Sequence, residues 1–224
     1  MACHHLRVEG TAWEDDGHAE QGVCRGCMKG IEEAAAAGAR LAVLPELWST
    51  SFLTEFDDAL FEAVGDAESS LCDLSREHSM VVVGSSIEAE GDHVYNTARV
   101  YQRGELIASY RKIHLFSPNV EHRHHEAGDQ PCIVDTEVGR LGVLICYDIR
   151  FPELPRHCFY EGAEILVVPG PWPGARSHQW RTLLRARATR EARREVWEAA
   201  AWDEEARGLA AARRAGAAAT GRRA

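Results

Sequence analysis

The stretch GVLICYDIRFPEL, Gly142 to Leu154, decides how the rest of the chain is read. Gly142 to Ile145 is an aliphatic run with the composition of a buried strand. It ends in Cys146, and Tyr147, Asp148 and Arg150 follow at once, then Phe151, Pro152 and Glu153. A thiol that only fills space packs as a small hydrophobe and needs no polar company. A thiol that reacts does need it. A strand that ends in a nucleophile, turns, and enters a helix near Pro152 exposes the side chain in a tight bend. The same bend offers the backbone N–H of Tyr147 as a donor to an oxyanion.

Working outward, apolar runs alternate with helical patterns. A helix running through EEAAAAGA is expected to end at Gly38, a residue suited to the C-terminal cap. Leu41 to Leu47 reads as a short buried strand, Phe56 to His78 as a helix, and Met80 to Ala89 as a strand closed by a Gly91-Asp92 turn. YNTARVYQ and ELIASYRK read as a hairpin joined at Arg103-Gly104. Cys132 to Asp148 reads as two strands with a turn near Gly139; a helix from Pro152 to Gly162 and the strand AEILVVPG follow. The fold class is therefore α/β, with a sheet covered on both faces or two packed sheets. After Arg176 the chain is dominated by Ala, Arg and Glu, with high helix propensity and no strand signal.

The 224 residues suffice for one well-buried domain. A formal net charge of -10 argues against nonspecific nucleic-acid binding. No apolar run approaches the ~20 residues of a membrane helix. MACHHLRVEG lacks the apolar core of a signal peptide, so a cytoplasmic protein is expected. The seven cysteines show no disulfide rhythm. Cys24 and Cys27 form a CxxC that, with His4 and His5, could hold zinc. Helical spacing with Met28 and Ile31 instead assigns both thiols to an apolar helix face.

Two further strand ends carry candidate chemistry. Glu46, after LAVLP, would sit beside buried apolar surface, where desolvation raises a carboxyl pKa and makes a better proton acceptor; the alternative is a solvated strand end. Lys112, in YRKIHLF, could aim its ammonium inward at a developing oxyanion or at the thiol; the alternative is a lysine snorkelling off a strand. Glu121 lies beside His122, His124 and His125. The histidines invite a metal, with His122 and His124 on one strand face, but their spacing matches no common ligand pattern.

Taken together, LPELW, YRKIHLF and ICYDIRFPEL, in that order along the chain, resemble the nitrilase (carbon–nitrogen hydrolase) superfamily. The resemblance continues through VYNTARVY, EHRHHEAGD, GAEILVVP and WRTLLRARA, from about Glu32 to Arg190. It implies a four-layer α-β-β-α sandwich and assembly into a homo-oligomer such as a homodimer. It also implies a catalytic set of Glu46, Lys112 and Cys146, with Glu121 as a second active-site glutamate in place of the metal reading. No metal or organic cofactor is implied. EHRHHEAGD and PWPGARSHQW look most like ω-amidases acting on amides of 2-oxo acids. That likeness makes Tyr147, Arg150, Trp172 and Arg176 substrate-binding candidates, with Trp172 as a pocket wall and Arg150 or Arg176 as the cation for a substrate carboxylate. An N-carbamoyl amidase, or a catalytically inactive homologue serving in binding or assembly, is the alternative.

The chain departs from the family at both ends. LRVEGTAWEDD is a poor version of the family's opening strand, and the match stops near Arg190. The expected division is a hydrolase domain over 1–190 and a helical or disordered Ala/Arg-rich tail over 191–224, leaving the sandwich incomplete at its C-terminal side.

Overall fold

The computed structural model describes residues 7–9, 19–170, 177–190, 195–200 and 209–215. Two sheets form the centre. One has the order β2 (Leu41–Val43), β3 (Val81–Glu90), β4 (His93–Gln102), β5 (Glu105–Arg111). The other has the order β1 (Arg7–Glu9), β10 (Leu209–Ala215), β9 (Glu195–Ala200), β8 (Ile165–Val168), β7 (Gly139–Val143), β6 (Cys132–Thr136).

Alternation along the strands produces the layers. Val43, Val81, Val83, Ala98 and Val100 share one buried cluster with Leu141, Val143 and Val167 of the second sheet. Ala42, Leu44, Val82 and Tyr101 point the other way, into a cluster with α1 (Ala19–Ala36) and α2 (Asp58–Glu77). A period of two thus gives each of these strands two apolar faces. On the far side, α3 (Glu153–Tyr160) and α4 (Ser177–Arg190) contribute Leu154, Cys158, Trp180 and Leu184 to a buried cluster continuous with that of the two sheets. The result is the α-β-β-α sandwich that the resemblance implied.

Local chemistry sets the element ends. The Asp57 carboxylate caps α2, accepting from the Leu60 N–H at 2.8 Å. Val64, Ala67 and Leu71 supply the buried stripe of α2. In α1, Cys27, Ile31 and Ala34 are buried at helical spacing, the core role expected for Cys27; the Cys24 side chain, His4 and His5 lie outside the described residues. Gly38, just past α1, has φ +82°, the left-handed backbone that favours glycine at a helix end. Arg103 and Gly104 both have positive φ (52° and 78°), which matches a two-residue turn to the twist of β4 and β5.

One expectation is corrected. The Ala/Arg-rich tail is not helical where it is described: Glu195–Ala200 and Leu209–Ala215 are strands, β9 parallel to β8 and β10 antiparallel to β9. An edge on β8 presents a row of unpaired N–H and C=O groups, and pairing with that edge overrides helix propensity. Arg7–Glu9, read as a poor strand, is the strand β1 and pairs antiparallel with β10.

Candidate active site

Glu46, distant in sequence, meets Lys112 and Glu121 in one buried cluster. The Lys112 ammonium, 1% exposed, donates to Glu46 Oε1 at 2.7 Å and to Glu121 Oε1 and Oε2 at 3.0 and 2.8 Å. Asn96 braces the same pair: its Nδ2 donates to Glu46 Oε1 at 2.8 Å and to Glu121 Oε1 at 3.2 Å. The Cys146 thiol lies near enough to this cluster for the Glu46 carboxylate and the Lys112 charge to shift its titration in opposite directions.

Each member is positioned by its neighbours. Pro45 fixes φ before Glu46 and biases Leu44 toward extended backbone. The turn after Glu46 is pinned to β3: the Leu47 N–H donates to Ser85 Oγ at 2.9 Å and the Trp48 N–H to the Ser85 carbonyl at 3.0 Å. Leu47 has φ +49°, so this turn stores strain that the surrounding bonds must hold. Lys112 follows β5 and its N–H donates to the Asn96 carbonyl at 2.9 Å. Glu121 opens a short 3-10 turn, and the Phe116 N–H donates to its Oε2 at 2.6 Å.

Cys146 stands at the sharpest bend. Its φ is +41°, unusual for a residue with a side chain, and its N–H donates to the Pro169 carbonyl at 2.8 Å. The bend enters a 3-10 turn over Cys146–Arg150. Leading N–H groups of such a turn lack partners inside it, and the Tyr147 N–H is one of them. Gly170 makes the bend possible, because a Cβ there would lie 3.0 Å from Cys146 Cα and Cβ and 3.3 Å from Trp180. The Gly170→Ala variant is expected to lose about 1–3 kcal/mol of stability from overpacking. Displacing the sulfur by ~1 Å should also cost on the order of a hundredfold in turnover. Thermal melts and steady-state rates on the purified variant check both.

The electrostatics divide the two carboxyls into different roles. Burial pushes the Glu46 carboxyl up; the Lys112 charge opposes this, and the net shift is upward. Burial would push Glu121 up as well, but the charge and hydrogen bond of Lys112, with bonds from the Phe116 N–H and Asn96, outweigh it and hold it below the usual carboxylate range. Burial and the Glu46 carboxylate push the Cys146 thiol up, against the pull of Lys112. Lys112 loses stability as an ion through burial, yet Glu46, Cys146 and Glu121 more than restore it, so it stays charged. A neutral thiol beside a carboxylate of raised basicity, next to a fixed ammonium, is an arrangement for proton transfer followed by nucleophilic attack.

The remaining predicted residues fare differently. Tyr147 is half-buried and packs edge-on between Phe116 (4.9 Å) and Phe151 (5.4 Å). Arg150 is exposed with its guanidinium 5.6 Å over the Tyr147 ring, on the surface rather than in the buried cluster. Trp172 and Arg176 lie outside the described residues. His122 and His124 do not share a strand face, because Glu121–Arg123 is a 3-10 turn. His122 is exposed, while His125 is buried edge-on against Phe56 at 5.4 Å. Asn96 is the member that sequence reading missed. Its only signal was its place in VYNTARVY, a stretch that already carried the resemblance.

Comparison with known proteins extends this geometry. Residues 19–193 match the family model for carbon-nitrogen hydrolases. The chain is 41% identical over 177 residues to the chloroplastic omega-amidase of Arabidopsis thaliana, covering 72% of this chain and 48% of that protein. It is 36% identical over 159 residues to the 2-oxoglutaramate amidase of Bacillus subtilis, covering 70% of this chain and 61% of that protein. The chain thus spans about half to three-fifths of the length of these two relatives. Among solved structures, a cysteine-to-alanine mutant of a Nesterenkonia amidase from the nitrilase superfamily superposes with a TM-score of 0.76 at 28% identity, covering 90% of this chain and 78% of that one.

Proposed function

Because this chain belongs to the carbon–nitrogen hydrolase family, we propose that it is a thiol-dependent amidase that hydrolyses the ω-amide of a 2-oxo acid to the acid and ammonia. The observation that carries the reading is the convergence of the Cys146 thiol, the Glu46 carboxyl and the Lys112 ammonium in one buried cluster. The names of the omega-amidase and 2-oxoglutaramate amidase relatives support the substrate class.

In this reading Glu46 takes the proton from Cys146 Sγ as the sulfur attacks the amide carbon. The carbonyl π pair moves to oxygen, where the Lys112 ammonium and the Tyr147 N–H stabilise the charge. The intermediate collapses, the C–N bond breaks, and Glu46 returns the proton to the leaving nitrogen, giving ammonia and a thioester. Glu46 then takes a proton from water, whose oxygen attacks the thioester carbon, and the thiol leaves with that proton. Glu121 keeps Lys112 charged and aimed. Lys112 has three protons and three close acceptors, so swinging one from the doubly contacted Glu121 frees it for the oxyanion. No step calls on a cofactor. The substrate carboxylate would be met by a cation, for which Arg176 and Arg150 are the candidates and Trp172 the adjoining wall.

The same reading takes the protein to act in the cytoplasm as a homo-oligomer. It accords with a net charge of -10 and with the absence, among the described residues, of any helix long and apolar enough to cross a membrane.

Ammonia release from 2-oxoglutaramate, 2-oxosuccinamate, an N-carbamoyl amino acid and a small nitrile tests the proposal. Release from the 2-oxo acid amides is expected. Release from the N-carbamoyl compound alone would overturn the substrate class, and release from none would favour an inactive homologue.

A further inference from the structure

Among the described residues, the mechanism above leaves one fully buried carboxyl group unused. Asp148, 0% exposed, sits two residues past the sulfur and touches neither Glu46 nor Lys112 in any hydrogen bond among the described residues. Its four contacts join two separate segments. Oδ2 accepts the Ile145 N–H at 2.9 Å, from the strand end that carries Cys146. The same oxygen accepts the Tyr110 hydroxyl at 2.7 Å, two residues before Lys112. Oδ1 accepts the His114 N–H at 2.9 Å and meets His114 Nδ1 at 2.8 Å, two residues after Lys112. Tyr110 and His114 thus bracket the lysine, and both are held on the carboxylate that also holds the nucleophile bend.

Packing reinforces the tie. The His114 ring stacks on Phe151 at 3.8 Å and 8°, and the Phe151 N–H donates to the Asp148 carbonyl at 3.0 Å. The Ile113 N–H donates back to the Tyr110 hydroxyl at 3.2 Å. Resting on the amidase reading, we propose that Asp148 is a positioning residue: its carboxylate clamps the Tyr110–His114 segment to the Cys146 bend and so sets where the Lys112 ammonium stands relative to the sulfur.

The chemistry of the clamp requires a carboxylate. Each oxygen accepts one backbone N–H, a donor that cannot be reversed. An asparagine, whichever way its amide is turned, places its own NH2 against one of those two N–H groups and loses that bond. The tyrosine hydroxyl and the histidine ring can adapt by rotation or tautomer; the backbone cannot. A buried donor left unmatched drives the two segments apart.

Two substitutions test this. Asp148→Asn should lower kcat about a hundredfold while KM changes less than threefold, since a ~1 Å misplacement of reacting groups costs on that order. It should also slow alkylation of Cys146 by iodoacetamide, read on the Cys146 peptide by mass spectrometry, at least fivefold. Tyr110→Phe keeps the charge and the ring and removes one hydroxyl, the donor to Asp148 and the acceptor of the Ile113 N–H; it should act in the same direction and slow alkylation at least threefold. A purely structural Asp148 would lower the melting temperature and leave the alkylation rate of the folded fraction unchanged. Smaller slowing than stated, or acceleration, overturns the proposal. If Asp148→Asn does not fold, Tyr110→Phe decides alone. If the parent hydrolyses no amide, the amidase reading fails, and alkylation still decides the clamp because it uses no substrate.

Discussion

On the proposed amidase reading, Cys146→Ala is expected to abolish ammonia release from a 2-oxo acid ω-amide, with a loss on the order of 10⁴-fold or more in kcat, the scale on which removing a nucleophile acts. The reason is stoichiometric as much as energetic, because without sulfur no thioester forms and Glu46 would have to direct water at an unactivated amide. The fold should survive. The thiol is neutral at rest, pushed up by burial and by the Glu46 carboxylate, so no buried charge is lost with it. Alanine tolerates the positive φ of +41° no worse than cysteine does. Circular dichroism and thermal melts should therefore match the parent closely while steady-state ammonia release disappears. Turnover by the alanine variant equal to the parent would end the thiol mechanism.

Lys112→Met has the second large effect, and it strikes stability as well as rate. Methionine matches the stem of lysine but leaves Glu46 and Glu121 facing each other in the interior without their shared cation. Removing one partner of a buried ion pair costs about 3–5 kcal/mol, because the charge left behind is uncompensated. For a domain of this size about 2–4 °C is lost per kcal/mol, so a fall of roughly 6–20 °C is expected in a melt near neutral pH. The pH dependence carries the signature. In the parent, Glu121 is held low, so its contribution is present above the ordinary glutamate value of about 4.3 and is lost as pH falls through its lower folded value. In the variant only the Phe116 N–H and Asn96 bonds still favour the Glu121 carboxylate, and burial opposes them. With Lys112 gone the two facing carboxyls take up a proton more readily in the folded state than Glu46 does in the parent, so the variant should gain more stability than the parent as pH falls toward the ordinary glutamate value of about 4.3. A variant melting within 2 °C of the parent at neutral pH, a threshold of about 1 kcal/mol, would show that the lysine is not what neutralises this pair.

Much of this was legible along the chain. Apolar runs marked β3, β4, β7 and β8. Gly38 marks a helix end by its chemistry, as glycine suited to left-handed backbone. The three motif-bearing stretches singled out Glu46, Lys112 and Cys146 because they occur together and in order along the chain; Glu46 or Lys112 alone had a bland alternative at a strand end. Other features were not legible. Asn96 lies in the middle of β4, where an inward polar residue could equally have been a flaw in the strand pattern. The strands Glu195–Ala200 and Leu209–Ala215 contradict their own helix propensity, since what selects them is the edge offered by β8. Asp148 looked like polar company for the cysteine; that it grips Tyr110 and His114 depends on where β5 runs.

By itself the sequence determined which residue types stand at the strand ends and the alternation that gives each strand two apolar faces. Those are properties of neighbours a few positions apart, set by periodicity and backbone preference. The tertiary structure alone decided that Lys112 answers two carboxylates at once, Glu46 raised and Glu121 lowered, across 66 and 9 positions of chain. Charge interactions and desolvation depend on distance through space and on exclusion of water, and neither exists until the two sheets have packed.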